Sequence, residues 1–571
     1  MKYSPAKFGL KILLLVFAIS PCLYARETPS QRLLKREISY MIAKSNSPGT
    51  QKAIEVYSRK QKRTLYSANA GLLLLPASNL KIVTTSFALN SLGKDYLFTT
   101  PFDFAGVQRG DSLVGDLVVV GMGDPIIRMN DLDSAAKAIE ATGITTVTGN
   151  LVVDISKFDS LEWGAGWMWD DEPQPYAMFI GPAELQHDVV DVNVSLNQSG
   201  TALDVTTYPE TSFIKVENLA QPGELDTINV TRDMIRGVNT IVVTGTYTSS
   251  FSPATYQFSV RHPAHYFGTV LRELLEKHGV RVLGHLKVTR SYSDHSPRVQ
   301  VFTLIHGIDT VITYINHVSD NLGAECLLRA VPMATAGEIG SAENGIALEK
   351  DFLEICGVDT TQYYIVDGSG VSHYNLIAPN AIVHVLRYDL DRPYKDIFIN
   401  SLPIAGETGT LQERMTQSYV KGLVHAKTGS LLDVRTLSGY VFIPHDTLVF
   451  SMMMENIAWN ADSMRALQDS ICTLLTQYSP NVRTFVNNLR RRRIGTFGII
   501  RHGRRTPVRR EPRKEPSRSE KTSFLIHNGD SGVKGDAGDM RGVNCSGWYE
   551  PKILEQIKST RTLRLDLQPC F

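Results

Sequence analysis

Serine becomes a useful nucleophile only when a neighbouring group takes its proton, and a base three residues further along a helix lies on the same face. The stretch "LLPASNLKIV" offers that pair as Ser78 and Lys81. Alone, S-x-x-K is a common chance pattern, and its plain reading is a helix-capping serine followed by a solvated lysine. Two further stretches change its weight. "HVSDNLGAECLLR" sets Ser319 and Asn321 immediately ahead of an expected helix, and "VHAKTGSLLDVRTLSGYV" sets Lys427, Thr428, Gly429 and Ser430 on an expected strand. Each has its own structural reading, an asparagine capping a helix or a lysine guarding a strand edge. Together they supply a nucleophile, two amines, a second hydroxyl and an amide, which is the equipment for acyl transfer through a covalent intermediate.

The order S-x-x-K, S-x-N, K-T-G is the signature of serine β-lactamases and penicillin-binding proteins. With "PASNLKIVTTSFAL", "GDLVVVGMGDP", "VDGSGVSHYNLIAP" and "SLPIAGETGTLQERM", the chain resembles D-alanyl-D-alanine carboxypeptidase/endopeptidases of the penicillin-binding protein 4 type, the low-molecular-mass class C group, over about residues 30 to 480. The resemblance implies an α+β fold: a serine β-lactamase/transpeptidase-like domain, an antiparallel sheet flanked by helices, with large β-rich inserted domains. It also implies cleavage of the terminal D-Ala-D-Ala bond of peptidoglycan stem peptides, with endopeptidase action on cross-links as an extension, and β-lactam antibiotics as covalent inhibitors. No metal or cofactor is called for. Ser78 is then the acylated residue and Lys81 its base, with a pKa lowered by burial and by the charge of Lys427. Ser319 relays a proton to the leaving amine. Asn321 holds the substrate backbone and steadies Lys81, while Lys427, Thr428 and Ser430 read the terminal carboxylate. The same resemblance places the oxyanion hole at the backbone N–H groups of Ser78 and Ser430, and Gly429 lets substrate lie close to its strand. Ser369 and Ser372 in "DGSGVSHYN" belong to the substrate site, with His373 where the family usually carries arginine. Ser430 stands where threonine is commoner. In "GWMWDDEPQPY", Asp170 is suggested as the partner of the stem's free amine, against the plain reading of an acidic loop. Two other readings compete: a β-lactamase, and a non-catalytic peptidoglycan-binding protein with a vestigial site. The long interval between Ser78 and Ser319, with no deacylating glutamate to be placed in it, counts against a class A β-lactamase.

These groups need elements to hold them. "KAIEVYSRKQKRTLYSA" alternates as a hairpin does, and the following segment reads as a helix with Pro76 in its first turn, Leu80, Val83, Phe87 and Leu89 on an apolar side, and Gly93 ending it. From 99 to 298 the texture is short strands punctuated by Gly, Asp, Asn and Pro, which predicts one or two nested β-rich inserted domains. "VRTLSGYVFI" and "TLVFSMMMEN" read as adjacent strands around "PHD", and "SMRALQDSICTLLTQY" as an amphipathic closing helix. The expected order is a catalytic domain in two parts, 26–98 and 299–485, interrupted by the insertion.

The ends differ from this body. Lys2, Lys7 and Lys11 precede "ILLLVFAIS" and "PCLYA", which predicts a leader cleaved after Ala25 and a periplasmic or otherwise exported protein. Residues 490 to 521 hold thirteen Lys or Arg against three Glu, so 486–571 reads as a basic, disordered tail suited to anionic lipid or cell-wall polymer. "RHGRRTP" and "GDSG" within it match phosphatase and protease signatures but leave no room for either domain. A net charge of +1 over 571 residues gives no sign of nucleic-acid binding. Cys326, Cys356 and Cys472 are far apart with no CxxC pair, which speaks against zinc or thioredoxin-like chemistry.

Overall fold

The computed structural model describes residues 27–492, apart from 46, 234–238, 249–252, 293–296 and 459–460. The leader, the tail beyond 492 and the two strings in that tail lie outside the described residues.

The framework of the site is a five-stranded antiparallel sheet in the order Arg63–Ala68, Gln51–Ser58, Asp446–Glu455, Val434–Ile443, Val424–Leu431. The first two strands are the hairpin of the basic stretch, closed by a turn in which Lys62 is left-handed (φ 50°). Side chains alternate between faces along each strand. Val449 and Met453 therefore join one apolar cluster, with Val83, Phe87, Val311, Ile315, Leu327 and Ile382. Leu448, Phe450, Met452 and Met454 join another, with Leu34, Ile38, Leu467 and Ile471. With helices on both faces, Val434–Ile443 is buried along nearly its whole length.

The helix that follows Ser78 runs Leu80–Leu92 and ends at Gly93 (φ 81°). It is not amphipathic: every residue from Leu80 to Leu89 is buried, polar ones included. A helix buried all round must find internal partners for its polar side chains. Thr84 donates to Glu349 Oε1 (3.0 Å) and to the Gly368 carbonyl (2.8 Å), Thr85 to the Lys81 carbonyl (2.6 Å), and Ser86 to Asp389 Oδ1 (2.6 Å).

Between this helix and Ile308–Val318 the chain builds a seven-stranded mixed sheet. Leu97–Arg109 pairs antiparallel with Ser112–Val120 and Arg298–Gly307, whereas Leu151–Asp154 runs parallel to Ser112–Val120 and to Leu286–Thr289. Parallel neighbours need a crossover. Helices Met129–Glu140 and Pro263–Lys277 lie in those connections and pack Leu132, Ile139, Phe267 and Leu271 into a core with Phe102, Leu117 and Leu151. Among the described residues three smaller sheets complete the region, and Val190 and Ile241 share the same core. At the far end, helix Val482–Arg492 runs across residue 485 because Phe485 is fully buried against the second apolar cluster. Cys326, Cys356 and Cys472 are all free thiols and buried.

Candidate active site

Ser78 lies in a single 3-10 turn, Ala77–Asn79, which leads into the buried helix. Ala77, just before it, is left-handed (φ 45°), a conformation that costs a non-glycine residue about 1 kcal/mol or more and persists only where surroundings enforce it. Three ties do so. Asn79 Nδ2 donates to the Lys427 carbonyl (2.8 Å), Thr436 Oγ1 donates to the Pro76 carbonyl (2.9 Å), and Gly370 approaches so closely that a Cβ there would stand 1.9 Å from the Ala77 carbonyl oxygen.

Lys81, one turn on, is fully buried and donates to Ser78 Oγ (3.1 Å), Asn321 Oδ1 (2.6 Å) and the Ser369 carbonyl (2.7 Å). Burial drives its ammonium down to about 8, against the opposing pull of Asp367, Asp320 and Glu325. The surrounding charges thus act against the depression, and desolvation alone produces it. Lys427, also fully buried, lies well below the usual lysine range because of burial and then the charge of Lys81. Its Nζ donates to Ser319 Oγ (2.8 Å) and to the Thr428 carbonyl (3.0 Å). Of the two lysines, Lys427 is therefore the one that meets Ser319. Ser319 closes helix Ile308–Val318 in the left-handed region (φ 65°, ψ 39°), and Asp320 caps the next helix, Asn321–Thr335, by accepting from the Gly323 N–H (2.8 Å). Burial would raise the Asp320 carboxyl, but His187, the Gly323 amide and Lys81 more than offset it and hold it below the usual range.

Ser369 and Ser372 are placed differently from the substrate-facing positions expected of them. Both are fully buried. The Ser369 hydroxyl donates to Asp367 Oδ2 (3.3 Å) and its N–H to Glu325 Oε1 (3.0 Å), while the Ser372 N–H donates to Asp367 Oδ2 (2.8 Å) and its hydroxyl accepts from the Tyr374 N–H (3.2 Å). A turn this dense in backbone donors closes around a carboxylate, so these serines shape the loop under Lys81. His373 and Tyr374 are its exposed members.

On the Val424–Leu431 strand, Thr428 Oγ1 donates to Thr410 Oγ1 (2.8 Å), and Ser430 is exposed. Gly429 faces protein rather than open space: a Cβ would meet Thr436 Oγ1 at 2.1 Å and the Pro76 carbonyl at 3.0 Å. The glycine is needed for the Ser78 turn to approach its strand. Asp170 is exposed beside Trp169, which is 79% exposed. Its neighbour Asp171 is engaged by the Tyr176 hydroxyl (2.9 Å) and the Met168 N–H (2.9 Å). The backbone of this loop reaches Asn321, whose Nδ2 donates to the Tyr176 carbonyl (2.7 Å).

Asn79, Asp320, Glu325, Asp367, Thr410 and Thr436 were not singled out by motif reading. Asp367 carried a local signal, an aspartate opening a Ser-Gly turn with Asn375 beyond it; Asp320 lies between Ser319 and Asn321 and caps the helix they precede, and the others are joined to the site by tertiary contact. The arrangement can deprotonate Ser78 through a neutral Lys81 and pass a proton through Ser319, which Lys427 holds.

Sheet, flanking helices and clustered motifs place the chain in the serine β-lactamase/penicillin-binding fold class. The model of the D-Ala-D-Ala carboxypeptidase 3 (S13) family matches residues 34–478, and the chain belongs to that family of serine-type D-Ala-D-Ala carboxypeptidases. It is 32% identical over 461 residues to a D-alanyl-D-alanine carboxypeptidase of Actinomadura sp. (strain R39), covering 78% of this chain and 85% of that protein. The crystal structure of penicillin binding protein 4 (dacB) from Haemophilus influenzae shares the fold, with a TM-score of 0.68 and 23% identity over 77% of this chain and 98% of that one. The same protein complexed with a novel β-lactam matches with a TM-score of 0.63 and 22% identity, over 77% and 98% of the two chains. The β-lactamase and vestigial-site readings give way to this membership.

Proposed function

We propose that Ser78 cleaves the terminal D-Ala-D-Ala bond of peptidoglycan stem peptides through an acyl-enzyme, with Lys81 as general base. The observation that carries this is the contact between Lys81 Nζ and Ser78 Oγ at 3.1 Å, made by a buried lysine lowered to about 8, so that a useful fraction is neutral near physiological pH. Ser319 and Lys427 return the proton to the leaving amine, and Lys427, Thr428 and exposed Ser430 receive the terminal carboxylate. Asp170 remains the candidate for the stem's free amine. β-Lactams acylate the same serine. A fluorescent penicillin should label the wild type covalently and leave Ser78→Ala unlabelled at unchanged Tm; an intact wild type that takes no label would sink the reading. Free D-alanine released from monomeric muropeptides measures the carboxypeptidase, and loss of cross-linked dimers measures endopeptidase action at the same serine.

The proposed setting is outside the cytoplasm, supported by the basic flank and apolar run of the first 25 residues. Peripheral attachment through the basic tail is supported by its excess of Lys and Arg. Truncation after residue 492, which spares the helix containing Phe485, should release the enzyme from the envelope fraction; unchanged fractionation would exclude attachment through the tail.

A further inference from the structure

Lys81 has two acceptors besides the nucleophile, and one segment of the inserted region stands behind both. Asn321, whose Oδ1 accepts from Lys81 at 2.6 Å, has its amide oriented by the Nδ2 bond to the Tyr176 carbonyl (2.7 Å). The Ser369 carbonyl, which accepts at 2.7 Å, belongs to the loop wrapped around the Asp367 carboxylate. Among the described residues, five groups donate to that carboxylate. Four are local: the Gly370 N–H (2.8 Å), the Ser372 N–H (2.8 Å), Asn375 Nδ2 (2.7 Å) and the Ser369 hydroxyl (3.3 Å). The fifth is Trp167 Nε1 at 3.0 Å, from 200 positions away. Asp367 is 1% and Trp167 6% exposed, so bulk water does not replace the indole donor.

We propose that Trp167 is a positioning residue for acyl transfer: its indole N–H fixes the Asp367 carboxylate, and with it the Ser369 carbonyl that aims Lys81 at Ser78. The inserted region is then part of the device that holds the general base. The proposal rests on the reading of Ser78 and Lys81 given above. Trp167 also packs against Phe158, Met178, Leu322 and Val371 in a small apolar cluster, so the test must separate packing from donation. Trp167→Phe keeps an aromatic ring and removes the donor. Ile241→Val, a conservative change in the buried core of the inserted region, controls for lost packing.

For Trp167→Phe in the full chain, kcat on a D-Ala-D-Ala peptide and the rate of penicillin acylation should both fall about ten- to a hundredfold, the scale set by misplacing a reacting group. KM should stay within about twofold, and Ile241→Val should keep wild-type kcat. Wild-type kcat in Trp167→Phe, or a rise in KM alone, would overturn the proposal. If Trp167→Phe does not fold, Asp367→Asn takes its place: the same split between kcat and KM supports the proposal, and full-rate acylation removes it. A wild type that takes no label would remove the underlying reading and the proposal with it. A labelled wild type with a full-rate Trp167→Phe would remove the proposal alone.

Discussion

At the scale of single residues, the site places two lysines in the core beside two serines and makes the pair chemically unequal. Lys81, at about 8, faces three carboxylates that favour its ammonium, whereas the lowering of Lys427 is reinforced by Lys81. Because the base must be neutral to take the Ser78 proton, acylation by a penicillin should rise with pH and level off above about 8, losing about tenfold per unit on the acid side. A rate flat between pH 6 and 9 would count against Lys81 as the base. Lys427 should respond in the opposite sense. A substrate carboxylate beside it supplies the counter-charge it lacks and favours its ammonium, so binding takes up a proton and weakens as pH rises. KM for a peptide ending in a free carboxylate should therefore climb with pH, while KM for its C-terminal amide should not. Parallel pH profiles for the two peptides would remove the assignment of Lys427 to the carboxylate.

At the scale of elements, what was legible in the sequence was what is local. The hairpin, the paired C-terminal strands, the short strands between 99 and 298, and the three motifs all depend on neighbours within a few positions. The helix Met129–Glu140 was legible in principle, since Leu132, Ala135, Ala136 and Ile139 are its buried face at helical spacing, but it sits in a region whose texture reads as strand and turn. The roles of Trp167 and Tyr176 were not legible, because they act on partners 200 and 145 positions away, and the cap of Asn321–Thr335 is Asp320, one residue before the asparagine that the plain reading would have made the cap. Gly429 shows the same limit. Its residue type suggests room for substrate, but the space is taken by Thr436 on the paired strand and the turn of Ser78. Gly429→Ala should displace Thr436 from the Pro76 carbonyl, cost about 1–3 kcal/mol in a chemical denaturation, and slow penicillin acylation together with it. Wild-type acylation in a stably folded Gly429→Ala would show that the strand and the nucleophile turn are not coupled in this way.

At the scale of the whole molecule, the helix from Leu80 to Leu92 enters the core with titratable groups around it whose charges are suppressed. Burial lowers Lys81, and burial lifts Glu349 and Asp389, the partners of Thr84 and Ser86, to about 8 each. These shifts bear on folding as well as chemistry. The ordinary values for the two carboxyls are 4.5 and 3.8. Between those values and about 8 the folded chain keeps two protons that the unfolded chain has released, so stability falls as pH rises through that window. Asp133, held down to about 2 by Lys137 and His278, acts in the opposite sense, its contribution being lost as pH falls below about 4. Taken together, these three groups favour the folded chain most near pH 4, well below the range in which Lys81 becomes neutral. Through Glu349 and Asp389, catalysis and stability pull in opposite directions between pH 5 and 8, with acylation rising while the stability these two carboxyls contribute falls. Glu349→Gln removes one of the two titrating carboxyls while keeping an acceptor for Thr84. Its Tm should change less than that of the wild type between pH 5 and pH 8, and an equal change in both proteins would rule out Glu349 as a source of the slope.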